Sequence, residues 1–592
     1  MDHPEARNLV HLRTTRDTPN ATSSSPSTSG PPPLSTDPPA VDTGVLSIPP
    51  SIHQREMTVN PSAASEWTPD LLVKANRNFD HVPRISALVS EAELLAKVRE
   101  HESSGVPLII EGWHERSDWN TELFSIKGFL SDKSKRVDVR DLLTSEDVEK
   151  PLSDLVEHYQ SIIKNGYTDV EGPRYYGKDL PCPEKWEEWL RSNLPSHVHP
   201  FGPSDMFSYL PSMYQPETLM CYLGIRDTFT PAHKDLCGSF GQNLMCHTSD
   251  GGSAFWFMSA TGSLQHDKPV AYFQEELGAD LDFETHWATV DQLNKATFGV
   301  YVAEQRLGDL VLVPPRSCHQ VINRGGISIK MSWSRMGLKS LEYSLYAELA
   351  LYHRLCRKEI YRVKFTVFAA VKAHAQRLAA LDSSASSTPQ PPDSRIPISS
   401  CRDGSLPPQP RVPVHPTTTL ADVTDLKKLL GFLDEILVEE WTPNYESLES
   451  TQTAQQDAYH HHYCDFCGAD IFQSFFVCTG CPKGEDTSEF ICCPSCYTEG
   501  RSCMCGEAKM EPRQSRPFEE LLLERNEAAR ILNRHLPYDQ RIQEYNAMTF
   551  KSSEHLQTFN AACILWNRIQ RMPSKVRLCA FPPFYLLTIK AH

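Results

Sequence analysis

His233 and Asp235 stand two residues apart in the run TPAHKD, and His319 follows far downstream in VPPRSCHQVIN. On an extended strand, residues two apart project to the same face, so this imidazole and carboxylate would point together. A second imidazole arriving from another strand would complete two nitrogens and one carboxylate on one side of a metal ion. Such a facial set leaves coordination positions open, as a non-haem Fe(II) site that activates dioxygen requires. The chain holds 23 His, enough for one such pair to arise by chance, so the surrounding sequence decides.

A second group of potential ligands lies near the other end. Nine of the 18 Cys fall between 464 and 505. They form the pairs Cys464/Cys467, Cys478/Cys481, Cys493/Cys496 and Cys503/Cys505, with Cys492 beside the third pair. Thiolates at this spacing, repeated over a short stretch, are the pattern of structural zinc. Eight ligands serve two tetrahedral Zn(II) ions. Alternating pairs predict a cross-brace joining 464/467 to 493/496 and 478/481 to 503/505, with Cys492 as the spare. His460, His461 and His462 read as a solvated run rather than ligands. No signal peptide opens the sequence, so thiols in a reducing compartment favour metal over disulfides. So small a module buries too little apolar area to fold unaided, and zinc would supply the folding energy.

Short strands must position the iron ligands. Residues 218–227 (TLMCYLGIRD) are apolar and partly β-branched, and end in a polar turn ahead of His233. Gly308-Asp309 is a turn signal, residues 310–313 (LVLV) are wholly apolar, and Pro314-Pro315 closes that strand. Residues 327–333 (ISIKMSW) alternate well enough for a returning strand. The fold class expected is therefore α+β. A double-stranded β-helix (cupin or jelly roll) forms its core, with flanking helices, a Cys-rich zinc module and a helical C-terminus.

These segments resemble the JmjC oxygenases, and the histone-demethylase-like members of fungal type in particular. Residues 105–113 (GVPLIIEGW) look like the family's opening strand, and 175–179 (YYGKD) like the segment preceding its core. The runs Thr230-x-x-His233-x-Asp235 and GDLVLVPP-x-x-x-His319-Gln-Val-x-Asn323 fall in the family's order. The resemblance covers about residues 80–345. It implies that His233, Asp235 and His319 hold Fe(II), with 2-oxoglutarate as co-substrate. Thr230 would donate to the far carboxylate of 2-oxoglutarate, with Asn243 in support. The implied reaction oxidises 2-oxoglutarate to succinate and CO2 while hydroxylating a C–H bond; on an N-methyl group the product collapses to formaldehyde and amine.

One position departs from the family. Where a Lys usually precedes the Trp-containing strand, this chain has Ser253 and Ala254 before Phe255-Trp256. A dicarboxylate in a dry pocket needs a cation, and Lys330 is the best substitute, with a solvent-facing Lys on a half-exposed strand as its competitor. Tyr301, Trp256 and Trp333 read as core aromatics that could line a cavity. His247, His266 and His286 lack partners at ligand spacing, and Cys237, Cys246 and Cys318 read as buried small residues. The Cys-rich module is similar to a ZZ finger in its first three pairs and departs at Cys503/Cys505, where that family uses His.

The domain layout expected is a disordered region over 1–65, the oxygenase domain with flanking helices over 66–380, a Pro/Ser-rich linker over 381–418, a helical segment over 419–457 opening on Thr419 as N-cap, a zinc module over 458–512 and a helical region over 513–592. Residues 576–587 are too short an apolar run to span a bilayer, so a soluble intracellular protein with no membrane partner is expected. The formal net charge is −17, which argues against a protein whose main task is clamping bare duplex DNA. Direct nucleic-acid binding stays open. Residues 132–136 and 357–364 are too weakly basic to be nuclear signals, so a nuclear location rests on the resemblance. The leading expectation is a histone lysine demethylase acting on chromatin. The alternatives are a protein hydroxylase with a nonhistone target and a catalytically silent JmjC scaffold.

Overall fold

Eight strands build the core: β1 Met220–Gly224, β2 Phe229–His233, β3 Phe240–Thr248, β4 Ser253–Ser259, β5 Val300–Gln305, β6 Leu310–Val313, β7 His319–Arg324 and β8 Ser328–Arg335. In the computed structural model, the described residues are 66–130, 135–166, 173–262, 267–385, 416–450, 462–481, 489–546, 549–550 and 557–572. Expectations for 1–65, 386–415 of the linker, His266, His460, His461 and 576–587 lie outside them.

The core strands pair in two sheets. One carries the order β5-β4-β7-β2 and the other β6-β3-β8-β1, which is the jelly-roll arrangement of a double-stranded β-helix. All these core pairings are antiparallel. Strand alternation divides the side chains. Phe255, Phe257 and Ile322 pack outward beneath the loop and helices at 268–298, while Ala254, Trp256, Met258 and Val321 pack inward against Met245, Val311 and Val313. The wholly apolar run 310–313 is buried at every position, as a strand covered on both faces must be. It opens from a tight turn at Gly308, φ +75°, where a Cβ would collide with His114.

Additional strands extend both sheets. Leu108–Glu111 pairs with β6 and Tyr175–Pro181 with β1 at the two ends of one core sheet, and Phe79–His81 pairs with β5 in the other. The α+β class with a jelly-roll core is therefore the observed architecture.

The helical layer departs in detail from the sequence expectation. Beyond β8 the chain runs through Leu338–Tyr343, a π-turn at Ser344–Glu348, and then α1 Leu349–Leu355 and α2 Val363–Ala385. Helix α3 spans Pro416–Glu439, so Thr419 lies inside it and is not its N-cap. Pro is well tolerated in a first helical turn, where its missing N–H costs nothing. The module at 462–514 holds a three-stranded sheet and the short helix α4 Pro494–Thr498, followed by α5 Phe518–Asn533 and α6 Thr558–Arg571. One apolar core joins Phe207 and Tyr361 beside the barrel to α2, α3, α5, Trp441 and Phe472.

Candidate active site and cysteine clusters

The end of β2 and the start of β7 are direct partners, with His233 opposite His319. Their rings lie 4.1 Å apart between centroids, and His319 Nε2 is 3.8 Å from Asp235 Oδ1. One ligand atom from each of His233, Asp235 and His319 falls within 4.8 Å of the others. Each His is oriented by a backbone carbonyl: His233 Nδ1 is 2.8 Å from Pro231 O and His319 Nδ1 is 3.0 Å from Ser317 O. A carbonyl can only accept, so each Nδ1 carries the proton and each Nε2 lone pair is free to bind a metal. Asp235 Oδ2 is buried with no hydrogen-bond partner. Gly241 is required beside it, because a Cβ there would collide with that oxygen.

Burial shapes the metal-free electrostatics. It pushes the Asp235 carboxyl up to about 6, opposed by His233, and with the nearby His233 charge it drives His319 down to about 3. A cation at this point would reverse both penalties. The three side chains, the two set tautomers and the unpaired oxygen fit a divalent metal.

The loop carrying these ligands is fixed from behind. Lys234, 3 % exposed, points away from its neighbours and sits 3.3 Å from both Asp282 and Glu348. Glu348 accepts from Arg316 Nε at 2.8 Å, and Asp282 from Arg357 at 3.1 Å. The π-turn beyond the barrel thereby clamps the residue between the two ligands.

On β8, Ser328, Lys330, Ser332 and Ser334 alternate with Ile329, Met331 and Trp333, which join the opposite apolar cluster. Lys330 is consequently 2 % exposed, and the solvent-facing alternative is overturned. Its Nζ donates to Asn323 Oδ1 at 2.6 Å. Among the described residues no carboxylate pairs with it, and burial lowers its pKa to about 7. Asn323 and Thr230 both engage the Tyr176 hydroxyl, whose own pKa burial raises. Thr230, Lys330, Asn323 and Tyr176 thus form one polar cluster. Ser253 and Ala254 are buried without adding a cation.

A cavity of about 300 Å³ opens over the triad, lined by Asn243, Gly241, Trp256, Val313, Trp333 and Tyr361 among others. Asn243 Oδ1 accepts from Gln305 Nε2 at 3.1 Å, and Gln305 in turn accepts from Trp256. At the mouth, Lys178 pairs with Glu284. Burial would raise the Glu284 carboxyl, but His233 and Lys178 hold it at about 2. Tyr222 donates to Asp179 at 2.7 Å. Trp256 and Trp333 line the cavity, while Tyr301 packs at the edge of the inner cluster. His247 Nδ1 lies 3.0 Å from Phe124 O, away from the triad. Cys237, Cys246 and Cys318 are buried, and burial raises all three thiols.

Sequence reasoning passed over Tyr176, Lys178, Asn323 and Glu284. Alternation was the available signal for three of them: Tyr176 and Lys178 share a strand face, as do His319, Val321 and Asn323. Glu284 lies in a loop with φ +50° and carries no periodic signal.

The cysteines gather in two places. Cys478, Cys481, Cys503 and Cys505 form one group, with sulfurs 3.1 Å apart for Cys478/Cys503 and 3.9 Å for Cys481/Cys505. In the other, Cys467 Sγ lies 3.7 Å from Cys493 Sγ. Here the atoms grouped with Cys467, Cys493 and Cys496 come from His353, and Cys464 groups with Cys492 and Cys496. Cys492, expected as the spare, sits beside the cluster within reach of Cys464 and Cys496. All the described cysteines are free of disulfides. His462 packs its ring 5.7 Å from Phe475.

A jelly-roll core holding a His-Asp-His facial set at its mouth is the arrangement of a non-haem Fe(II) oxygenase site. Residues 220–334 match the family model described as JmjC domain, hydroxylase, so the chain carries a JmjC hydroxylase domain, and that family implies Fe(II) and 2-oxoglutarate. The chain is similar to C-module-binding factor A of Dictyostelium discoideum, at 27 % identity over 412 residues. The match takes in 67 % of this chain and 38 % of that protein's length. The two cysteine clusters fit two zinc ions. Among the described residues no helix is long and apolar enough to cross a membrane.

Proposed function

We propose that this chain is an Fe(II)- and 2-oxoglutarate-dependent oxygenase that removes N-methyl groups from lysine in histone tails, acting on chromatin in the nucleus. The observation that carries the oxygenase reading is the amine of Lys330. It is buried on the inward face of β8, in the same barrel as the triad, and has no carboxylate partner among the described residues. An unpaired buried cation is costly, and the far carboxylate of 2-oxoglutarate is the anion that would offset that cost.

Bound iron with 2-oxoglutarate would supply dioxygen activation and the hydroxylating equivalent. His233, Asp235 and His319 would hold the ion from one side. Lys330, Thr230 and Tyr176 would receive the far carboxylate, with Asn323 setting the Lys330 amine and Asn243 lining the approach. Trp256 and Val313 exclude water from the inner wall. A hydroxylated N-methyl group collapses without further help to formaldehyde and the free amine. The zinc-bearing module would guide the enzyme to its protein target.

Hydroxylation of an uncharged side chain on another protein is favoured by one observation. The carboxylates at the mouth are already engaged, Glu284 by Lys178 and Asp179 by Tyr222, so the entrance is not an open anionic clamp for an ammonium ion. Product analysis separates the two. The iron-loaded chain is incubated with 2-oxoglutarate, ascorbate and methylated histone peptides, and alongside these with unmethylated protein extract. Formaldehyde with loss of a methyl mass supports demethylation. Gain of one oxygen on an unmethylated chain supports hydroxylation instead. Bound iron with no consumption of 2-oxoglutarate in either case overturns the oxygenase reading and leaves a scaffold.

A further inference from the structure

His353 lies on α1, the helix that leaves the oxygenase domain, far in sequence from the cysteines. Its Nε2 is 2.9 Å from Glu499 Oε1, and its Nδ1 faces Cys496 Sγ at 4.0 Å. One ligand atom each from His353, Cys467, Cys493 and Cys496 lies within 4.8 Å of the other three. With Zn–S of about 2.3 Å and Zn–N of about 2.0–2.1 Å, a tetrahedral site sets sulfurs about 3.8 Å apart and nitrogen about 3.6 Å from sulfur. The Cys467/Cys493 separation of 3.7 Å meets the first value, and His353 needs only a small inward shift to meet the second. A ligating His donates its other ring N–H to a carboxylate or carbonyl, which turns the free lone pair to the metal. Glu499 occupies that place.

Cys464 is the ligand that the spacing of the pairs predicts, and its sulfur does meet Cys467, Cys492, Cys493 and Cys496, but it is the set with His353 that brings four ligand atoms within 4.8 Å of one another. The surrounding surface also ties this corner of the module to the oxygenase side. Glu359 N–H donates to Gly468 O at 2.9 Å, Asp470 N–H donates to Glu359 at 3.2 Å, and Lys358 Nζ lies 4.7 Å over the Tyr463 ring. Gly468, φ +74°, could not carry a Cβ without meeting the Lys358 backbone at 2.8 Å.

We propose that the first zinc ion is held by Cys467, Cys493, Cys496 and His353, a Cys3His site in which the oxygenase domain supplies the nitrogen. The ion thereby staples the module to the helix that follows the barrel. This rests on the reading that the cysteine clusters bind zinc. Among the described residues the second cluster offers sulfur alone, so nitrogen that disappears in His353→Cys reports the first site.

The test uses the full chain loaded with zinc, read by zinc X-ray absorption and by the visible spectrum after cobalt substitution. Wild type is expected to show nitrogen beside sulfur. His353→Cys should retain both ions with an all-sulfur shell, His353→Ala should release one ion at least about tenfold more readily, and Cys464→Ser should keep both the ion and the nitrogen signal. An all-sulfur shell in wild type overturns the inference, as does loss of an ion from Cys464→Ser with His353→Ala unchanged. Failure of wild type to bind zinc at all would instead overturn the zinc reading itself and the inference with it.

Discussion

Lys330 is a buried amine held at about 7 by desolvation, and that fixes two expectations. A bound dicarboxylate returns it to the ammonium form. Above pH 7 the free site holds mostly amine, so binding 2-oxoglutarate takes up a proton; below that pH the amine is already charged and the uptake fades. Calorimetry in buffers of differing ionisation heat measures this directly, and uptake that does not grow between pH 6 and pH 8 would contradict it. Lys330→Met removes a charge-assisted contact of about 2–3 kcal/mol, or roughly thirty- to a hundredfold in affinity. It should also stabilise the ligand-free chain, because the native amine is depressed from 10.5 and its cost grows as pH falls toward 7. Thermal melts should therefore show a larger gain for Lys330→Met at pH 6 than at pH 10. The triad was legible in the sequence because the His-x-Asp spacing and the strand and turn runs around His319 carry it, whereas Lys330 was only a candidate cation until its inward face on β8 was seen. Tyr176 was not, since its partners Thr230 and Asn323 stand on strands that only the sheet order brings beside it.

Between elements, a buried charge network ties the ligand loop to the π-turn. Lys234, Glu348 and Asp282 are each buried, and removing one partner strands the others without water. Glu348→Ala should cost about 3–5 kcal/mol of stability and raise the iron concentration needed for half-maximal activity. Replacing Lys234 and Glu348 together by Met and Leu should recover stability, by denaturant titration, without recovering iron affinity. An unchanged melting profile for Glu348→Ala would show that this network does not hold the loop. The core strands could be read from their apolar runs and turn signals, as 310–313 illustrates. Helix α3 was misjudged at its start, because Thr419 looks like a cap only when the residues ahead of it are assumed to be linker.

Over the whole molecule, the segment from His353 to Arg362 serves both ends. Arg357, Ile360 and Tyr361 line the cavity over the triad, while Lys358 and Glu359 meet the first cysteine knuckle. Zinc removal should therefore reach the oxygenase. A chelator with higher preference for zinc than for iron, followed by iron replenishment, is expected to lower the melting temperature and slow turnover; unchanged turnover in the zinc-stripped, iron-loaded chain would separate the two ends. None of this was visible in the sequence. The cysteine spacing gave the second cluster in full, but a ligand from a distant helix has no local signature, and the shared apolar core depends on contacts between remote segments. The measurement that tests the central claim most directly is succinate release by the iron-loaded full chain as 2-oxoglutarate is varied, for wild type, His319→Ala and Lys330→Met. Turnover in wild type, none in His319→Ala, and a roughly thirtyfold or greater rise in the 2-oxoglutarate requirement of Lys330→Met are predicted. An iron-bound wild type that neither binds nor consumes 2-oxoglutarate, or a Lys330→Met chain indistinguishable from wild type, would contradict the account.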